Sequence, residues 1–381
     1  MGMQLRGCGT ALVTPFQQDG SLDEPALRHL VAWQVESGID FLVACGTTGE
    51  TPTLSRDEWL RVIDVTAEVA AGRVPVVAGA TSNSTSDAVE KAKAAAARPG
   101  VDAILTASPY YNKPTQEGQY RHFRAIAEGV DKPVILYNVP GRTAATIEPA
   151  TLLRLAEIPN ILGVKDATGN ITEMAEVCNL MPEHFLIFSG DDVVTLPLIA
   201  LGGVGVISVI SNEIPREMAE MARAALNHDW AAARSIHRKY LPLMQANFIE
   251  SNPLPVKAVL AMMGKIEEVY RLPLVPMRRD TRSKLQKVAA EVGLITRPAG
   301  ESKDKDKDAA EFYLYENWLA GPRKVVLHRS SCGQCNHGKG RPAGHDANHA
   351  RWHGPYATLS QAREMSHTMQ GVLIRSECKC I

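Results

Sequence analysis

The feature that most constrains the fold of this chain is a set of eight short apolar segments, all but the last followed closely by an amphipathic stretch. The segments are continuously apolar rather than alternating, which is typical of parallel strands covered on both faces. Eight such units in about 250 residues indicate a closed (β/α)8 barrel. The predicted strands are Gly9–Val13, Phe41–Ala44, Val74–Ala78, Ala103–Thr106, Val134–Tyr137, Gly163–Lys165, Leu186–Phe188 and Gly205–Ser208.

A doubly wound open sheet is the structural alternative, but no G-x-G-x-x-G motif follows the first predicted strand. The residues after the eighth strand show a helical period, so a helical C-terminal appendage should complete the barrel. Its predicted helices are Pro215–Asn227, Trp230–Asn247, Pro253–Met263 and Met277–Val292.

The chain divides near residue 296, where Arg297-Pro298-Ala299-Gly300 leads into alternating lysines and aspartates. We interpret residues 1–296 as the catalytic barrel, residues 297–310 as a charged linker and residues 311–381 as a small separate α+β module. The elements predicted in the module are strands at Phe312–Tyr315 and Lys324–His328, a helix at Leu359–Met369 and a third strand at Val372–Arg375.

Composition excludes several classes of protein. Apolar residues make up 45% of the chain and charged residues 22%, which excludes global disorder. A net charge of −1 argues against nucleic-acid or membrane binding over the whole surface. The sequence has no apolar run of membrane-spanning length, and its first residues lack the pattern of a signal peptide. We therefore expect a soluble, cytoplasmic protein.

The C-terminal ends of the strands are where a (β/α)8 barrel carries its active site. Lys165 ends the otherwise apolar sixth strand. If it faces the barrel interior, burial should lower its pKa and leave a neutral amine that can attack a ketone to form a Schiff base. A lysine that extends to solvent or pairs with a carboxylate remains the alternative for Lys165 taken alone.

Three other strand ends carry polar groups. The second strand runs into Gly46-Thr47-Thr48-Gly49, which is either a donor-rich pocket for a small carboxylate or an ordinary glycine-rich turn. The fifth ends at Tyr137 with Arg142 in the following turn, an acid/base group beside an anion-binding cation. The fourth leads to Tyr110 and Tyr111, which either relay protons or pack against a neighbouring subunit.

These four strand ends and a fifth segment after the seventh strand together resemble one family. G-T-T-G-E, S-P-Y-Y-N-K-P, Y-N-V-P-G-R-T, G-V-K-D-A-T-G-N and S-G-D-D follow the order and spacing of dihydrodipicolinate synthase, in the pyruvate-dependent class I aldolase superfamily. The resemblance covers roughly residues 5–295. It implies condensation of pyruvate with L-aspartate 4-semialdehyde in lysine and diaminopimelate biosynthesis, with no catalytic cofactor and as a homotetramer built as a dimer of dimers.

The resemblance also implies roles for individual residues. Lys165 would form the imine with pyruvate. Tyr137 and Thr48 would form a proton relay with Tyr111 of a neighbouring subunit. Thr47 and Thr48 would hold the pyruvate carboxylate. The positions matching the remaining substrate contacts are Arg142, which would receive the carboxylate of the second substrate, and Gly190, Asp191 and Ile207, which would line the pocket beside the lysine.

Two questions stay open within this resemblance. N-acetylneuraminate lyase and several sugar-acid aldolases share the lysine and the tyrosine, although an arginine at position 142 favours a short acidic acceptor. A lysine-effector site would be matched by Asn83, Asp87 and Tyr110. Arg56 and Trp59, however, stand where inhibited bacterial enzymes often carry histidine, which puts lysine inhibition in doubt.

The last residues of the chain resemble no family that we identify. Cys332 and Cys335, together with Cys378 and Cys380, offer four thiolates to a structural zinc ion, and free or redox-active thiols are the alternative. Lys and Arg outnumber Asp and Glu after residue 296, which is compatible with a nucleic-acid-binding module. A solvated surface explains that charge better, so nucleic acid is not an expected partner.

Overall fold

The computed structural model describes residues 5–296, 312–317, 324–329, 350–356, 359–369 and 374–377. The chain separates into two compact units, Met1–Thr296 and Arg297–Ile381. The predicted linker at residues 297–310 lies outside the described residues.

The first unit contains a closed barrel of eight parallel strands in chain order, and the first strand pairs with both the second and the eighth. This confirms the barrel predicted from the repeated apolar segments. The strands are β1 (Gly7–Ala11), β2 (Phe41–Ala44), β3 (Val76–Gly79), β4 (Ala103–Ala107), β5 (Val134–Asn138), β6 (Ile161–Asp166), β7 (Leu186–Ser189) and β8 (Gly205–Ser208).

Strand boundaries follow the neighbouring strands more than the apolar runs. β3 begins at Val76 rather than Val74 because pairing with β2 starts where Val76 faces Leu42. β6 extends in both directions beyond its predicted span, since it pairs with β5 from Ile161 and with β7 up to Asp166. The backbone bonds available from the partner strand therefore decide where each strand ends.

The helices of this unit begin at clear N-terminal signals. α2 starts after Ser55, whose side chain accepts from the backbone N–H of Glu58 while the Glu58 carboxylate accepts in return, forming a capping box. The helices are α1 (Glu24–Glu36), α2 (Arg56–Ala70), α3 (Thr85–Ala96), α4 (Gln116–Glu128), α5 (Pro140–Thr143), α6 (Pro149–Ala156), α7 (Ile171–Leu180), α8 (Thr195–Ala200), α9 (Pro215–Leu226), α10 (Trp230–Ala246), α11 (Leu254–Met262) and α12 (Arg279–Glu291).

Two apolar layers hold the barrel together. One fills the space between the strands and the helices, and the other fills the barrel interior. In the interior the rings of Phe41 and Phe188 meet edge to face, with centroids 5.5 Å apart. The interior is thus a packed core, which leaves only the strand ends above it for a ligand.

The C-terminal helices pack against the barrel at its loops. Val256 and Leu260 of α11 form one buried cluster with Val13 and Val209, which lie just beyond β1 and β8. The helical appendage predicted from the sequence is therefore present, and it reaches the end of the barrel where the candidate residues lie.

The second unit contains a four-stranded sheet and a helix. The strand order is β11-β9-β10-β12, with β9 antiparallel to both neighbours and β12 parallel to β10. The helix packs against the sheet through Ala362, which is buried with Phe312 and Leu314. The elements are β9 (Phe312–Asn317), β10 (Lys324–Arg329), β11 (Ala350–Tyr356), α13 (Leu359–Thr368) and β12 (Ile374–Glu377).

β11 was not predicted from the sequence, and the last strand was predicted over Val372–Arg375. β11 contains Gly354 and Pro355, which disfavour a strand, and its register with β9 shifts between His353 and Tyr356. β12 spans Ile374–Glu377, whereas the predicted start at Val372 lies outside the described residues.

Two further expectations concern ligands and membranes. The four cysteines of the proposed zinc site lie outside the described residues. Among the residues that are described, no three His, Cys, Asp or Glu side chains group in a way that would hold a metal ion. Within the same residues, every helix is too short or too polar to traverse a bilayer.

Candidate active site

Lys165 lies near the end of β6 with its side chain inside the barrel, where it is only 5% exposed. Burial lowers its pKa from 10.5 to about 8, because a desolvated ammonium is less stable than a neutral amine. The negative charge of Asp192 opposes this shift, and the positive charge of Arg142 adds to it. The neutral amine is therefore far more populated near neutral pH than in a lysine with the ordinary pKa.

Tyr137 lies on β5 directly opposite Lys165 in the strand register. The Lys165 Nζ atom is 4.4 Å from the centre of the Tyr137 ring. Burial raises the pKa of the phenol, whereas the charge of Arg142 and a side-chain hydrogen bond with Thr47 lower it. The phenol is therefore a protonated group that contacts a hydroxyl and lies beside an amine.

The turn after β2 presents two threonines in different directions. Thr47–Gly49 forms a single 3-10 turn. Thr47 faces Tyr137, while the Thr48 hydroxyl accepts a hydrogen bond from the Asn252 side chain at 3.0 Å. Neighbouring residues of a 3-10 turn point about 120° apart, which accounts for the different partners of the two hydroxyls. The role of Thr48 in the proton relay stays a prediction.

Arg142 lies in α5, the single helical turn that follows β5. Its guanidinium donates a hydrogen bond to the backbone carbonyl of Asn252 at 3.1 Å. The side chain is largely exposed. Its positive charge lowers the pKa of both Tyr137 and Lys165. It is thus a cation at the mouth of the site with donors left for an anion.

A cavity of about 240 Å³ opens beside these residues. Its lining includes Thr47, Tyr137, Arg142, Tyr110 and Lys91. Gly79 lets two loops approach each other here, since a Cβ atom on Gly79 would lie 2.0 Å from the carbonyl oxygen of Cys45. The cavity has room for a small acid beside the tyrosine.

Three predicted lining residues differ in what they contribute. Gly190 gives room to the lysine, because a Cβ atom there would lie 3.1 Å from Lys165 Cε and 2.7 Å from Ala167 Cβ. Ile207 is fully buried in the same interior cluster as Tyr137. The Asp191 carboxylate accepts from the backbone N–H of Val193 at 2.9 Å, so it supports its own turn.

Tyr111 is exposed in the single chain, whereas Lys165, Tyr137 and Thr48 are buried. Its side chain is 88% exposed and its backbone is left-handed, with φ of 71°. Tyr110 beside it is also more exposed than most aromatic residues. A non-glycine residue in this conformation on an exposed loop is unusual and favours a specific role for the loop.

Comparison with known proteins now decides the family. Residues 4–292 match the sequence model of the dihydrodipicolinate synthetase family. The chain belongs to this family. A 4-hydroxy-tetrahydrodipicolinate synthase of Koribacter versatilis is 70% identical over 293 residues, which cover 77% of this chain and 98% of the relative. One from Acidobacterium capsulatum is 61% identical, with 77% of this chain and 97% of the relative covered.

Solved structures of the family have the same fold. A dihydrodipicolinate synthase from Acinetobacter baumannii, crystallised in complex with pyruvate, has a TM-score of 0.75 and 44% identity over 77% of this chain and all of that chain. The enzyme from Thermotoga maritima has a TM-score of 0.75 and 42% identity over 76% of this chain and 99% of that one. The family match ends at residue 292, before the second unit.

The residues predicted for a lysine-effector site are only partly brought together. Tyr110 lines the cavity, and Asn83 is linked to the same loop because its carbonyl accepts from the Asn112 side chain at 2.8 Å. Asp87 is exposed on α3. Trp59 is buried and donates its indole N–H to the carbonyl of Gly79 at 3.0 Å, so that N–H is already used.

A buried ion pair that was not predicted from the sequence lies next to the site. Lys257 Nζ and Glu50 Oε1 lie 2.5 Å apart, and both side chains are 0% exposed. Asn252, which contacts both Thr48 and Arg142, was also overlooked. A usable signal existed, since Lys257 interrupts an apolar helix and a lysine in such a place is buried only when paired.

Proposed function

We propose that this chain condenses pyruvate with L-aspartate 4-semialdehyde to give 4-hydroxy-tetrahydrodipicolinate, through an imine between Lys165 and pyruvate. The observation that carries the proposal is the buried lysine with a pKa of about 8 beside Tyr137. The names of the Koribacter and Acidobacterium relatives, and the pyruvate complex of the Acinetobacter enzyme, support this substrate pair.

In the first half of the reaction the neutral Lys165 amine attacks the ketone carbon of pyruvate, and one water leaves as the imine forms. The protonated imine withdraws electrons from the methyl carbon, so a base can remove a methyl proton to give an enamine. We assign this proton transfer to Tyr137 acting with Thr47, and support for this pair comes from the side-chain hydrogen bond with Thr47 that lowers the pKa of the Tyr137 phenol. The imine itself is the electron sink, so the proposal requires no metal ion.

In the second half the enamine carbon attacks the aldehyde carbon, and the aldehyde oxygen takes up a proton. The amino group of the second substrate then attacks the imine carbon, which closes the ring and releases the Lys165 amine. Arg142 would bind the carboxylate of the second substrate at the mouth of the site. Thr48 and backbone N–H groups of its turn would hold the carboxylate of pyruvate.

Imine trapping tests this function. Borohydride reduction in the presence of pyruvate should add the reduced pyruvate mass to one lysine, which peptide mapping should identify as Lys165. Omission of pyruvate is the control. Trapping at another lysine, or none, rejects the mechanism. Turnover with L-aspartate 4-semialdehyde but not with N-acetylmannosamine separates the synthase from an N-acetylneuraminate lyase.

We also propose that the active form is a homotetramer, a dimer of dimers in which Tyr111 completes the site of a neighbouring subunit. The exposure of Tyr111 and Tyr110 in the single chain supports this arrangement, since a dimer contact would cover both rings. A cytoplasmic location fits the buried free thiols of Cys8 and Cys45.

For the second unit we propose a structural module separate from the aldol chemistry, with zinc at Cys332, Cys335, Cys378 and Cys380 as the candidate ligand set. The end of the family match at residue 292 favours a separate role. Elemental analysis of the full chain is the test. One zinc per chain that is lost in Cys332→Ser supports the site, whereas metal-free protein with four titratable thiols rejects it.

A further inference from the structure

The direction of the Thr48 hydroxyl is set by the side-chain amide of Asn252, a residue far away in the sequence but in direct contact. Asn252 donates from Nδ2 to Thr48 Oγ1 at 3.0 Å, and both side chains are buried. A hydroxyl that accepts one hydrogen bond still has its own hydrogen to donate. The amide therefore fixes the Thr48 oxygen and leaves its hydrogen for another acceptor.

The same residue also holds the cation at the mouth of the site. The backbone carbonyl of Asn252 accepts a hydrogen bond from Arg142 at 3.1 Å. Asn252 thus contacts the turn after β2 through its side chain and the turn after β5 through its backbone. These are the two segments that carry the proposed anchors for the two substrate carboxylates.

A buried ion pair fixes the end of the turn that carries Thr48. Glu50 has a left-handed backbone with φ of 52°, and its carboxylate is paired with Lys257 of α11 at 2.5 Å. The Lys257 ammonium also lies over the ring of Phe16, 4.4 Å from its centre. The backbone N–H of Arg271 donates to the other carboxylate oxygen at 3.3 Å. Contacts of this kind hold a strained backbone in place.

We propose that Asn252 and Lys257 are positioning residues, which hold the two substrate-anchoring segments at the spacing that both carboxylates require. Asn252 acts through Thr48 and Arg142, and Lys257 acts through Glu50. This inference rests on the proposed function. In this arrangement the helical appendage is part of the substrate site. Lys257 lies in α11 and Asn252 lies just before that helix, and together they connect the turns after β2 and β5. Because Asn252 donates to the Thr48 oxygen, the Thr48 hydroxyl is left to donate its own hydrogen to the pyruvate carboxylate.

Two substitutions of Asn252 test the direction of the Thr48 hydroxyl. Asn252→Ala removes the donor, and we expect the KM for pyruvate to rise about three- to tenfold with a smaller change in kcat, the effect of one hydrogen bond. Asn252→Asp keeps the shape but accepts the Thr48 hydrogen and adds a negative charge. It should raise the KM for pyruvate more than Asn252→Ala does.

The near-isosteric aspartate keeps this test informative if the alanine variant fails to fold. Melting temperatures of both variants should be measured alongside the kinetics. A folded Asn252→Asp enzyme with a wild-type KM for pyruvate overturns the role of Asn252.

A pair of variants tests Lys257. Lys257→Met leaves the Glu50 carboxylate buried without its partner and should lower the melting temperature and raise both KM values. The double variant Glu50→Gln, Lys257→Met buries no charge, so stability should recover. If Lys257 is a positioning residue, both KM values should nevertheless stay raised in the double variant, because the ion pair that fixed the turn after β2 is absent. Recovery of wild-type KM values in the double variant shows that the pair is structural only and overturns the role of Lys257.

A matched control comes from the same appendage. Arg282 of α12 pairs with Glu268 at 2.6 Å, and neither residue lies in the turn after β2 or the turn after β5. Arg282→Met should therefore leave both KM values unchanged. Imine trapping on the wild-type chain separates the two levels of inference. Absence of trapping in the wild type rejects the proposed function, whereas normal trapping with unaltered KM values in the variants rejects only the positioning roles.

Discussion

The Lys165 ammonium and the Tyr137 ring lie on paired strands, with Nζ 4.4 Å from the ring centre. The register of two parallel strands places them side by side, and the packed interior below keeps them from water. Their pKa values move in opposite directions for the same reason. Burial favours the neutral amine of the lysine and the neutral phenol of the tyrosine.

The rate of imine formation should therefore rise with pH and level off above the pKa of Lys165, about 8. Only the neutral amine attacks the ketone, and the neutral fraction of Lys165 increases as pH rises through that value.

Lys165→Ala should abolish trapping and turnover. Arg142→Leu removes a positive charge that lowers the pKa of Lys165, so it should move the pH profile to higher pH. A profile flat between pH 6 and pH 9 contradicts this assignment. Stopped-flow mixing with pyruvate across that range gives the measurement.

The two threonines of the β2 turn should differ when each is replaced by valine. Thr47→Val removes the hydroxyl that contacts Tyr137 and should lower kcat about 10²- to 10⁴-fold, in the range of a lost proton-transfer group. Thr48→Val removes the hydroxyl held by Asn252 and should act mainly on the KM for pyruvate. Steady-state kinetics of both variants, with Tyr137→Phe for reference, distinguish the two roles. Equal losses of kcat would place Thr48 in the relay as well.

This difference between neighbouring residues shows where sequence reasoning ended. The apolar period and the strand ends were sufficient to bring Lys165, Tyr137 and Arg142 to one end of a barrel, because parallel strands of a barrel all finish on the same side. Which threonine faces the tyrosine depends on the 3-10 turn and on an amide 204 residues further along the chain. No local pattern contains that information.

The pairing of Glu50 with Lys257 was hidden for the same physical reason. Lys257 within an apolar helix indicates a buried, paired lysine, but only the packing of α11 on the barrel shows that Glu50 is its partner. β11 was missed because glycine and proline argue against a strand, whereas its pairing with β9 overrides that local preference through a register shift. Tertiary contacts, rather than local propensity, decide such elements.

The buried carboxyl of Asp192 should make folding stability depend on pH. Its Oδ2 accepts two backbone N–H groups at 3.1 Å, while its Oδ1 has no partner in the described part of the chain. Burial raises its pKa from 3.8 to about 6 despite those hydrogen bonds. The folded state therefore binds this proton more tightly than the unfolded state. That contribution is full below pH 4 and is lost as pH rises through 6.

Asp192→Asn should remove this dependence, because the amide keeps an acceptor oxygen and carries no charge. A shift of about two pKa units corresponds to about 3 kcal/mol. The free energy of unfolding of the variant, relative to wild type, should rise by roughly that amount between pH 4 and pH 7. Urea denaturation at both pH values gives the comparison. An unchanged difference at the two pH values contradicts the burial of a protonated carboxyl.

Free lysine should inhibit this enzyme weakly. Lys91 lines the cavity beside Tyr110, and its ammonium disfavours a second ammonium there. The indole N–H of Trp59 is used by Gly79, so it offers no hydrogen bond to an effector. Activity titrated with lysine is the measurement, and Lys91→Gln should strengthen inhibition by removing the repulsion. Strong inhibition of the wild type that Lys91→Gln leaves unaltered would show that the cavity is not the effector site.

Two inactive variants should restore activity when combined, if Tyr111 acts in a neighbouring subunit. Tyr111→Phe lacks the relay phenol, and Lys165→Ala lacks the amine. A hybrid dimer contains one site with Lys165 from the first chain and Tyr111 from the second. Because the two sites of a symmetric dimer are equivalent, random mixing should restore about a quarter of the sites. Co-refolding or subunit exchange at several ratios, followed by activity assays, measures this recovery. The exposure of Tyr111 in its own chain motivates this test. If the phenol acted within its own subunit, no chain would carry both Tyr111 and Lys165, and no ratio would restore activity.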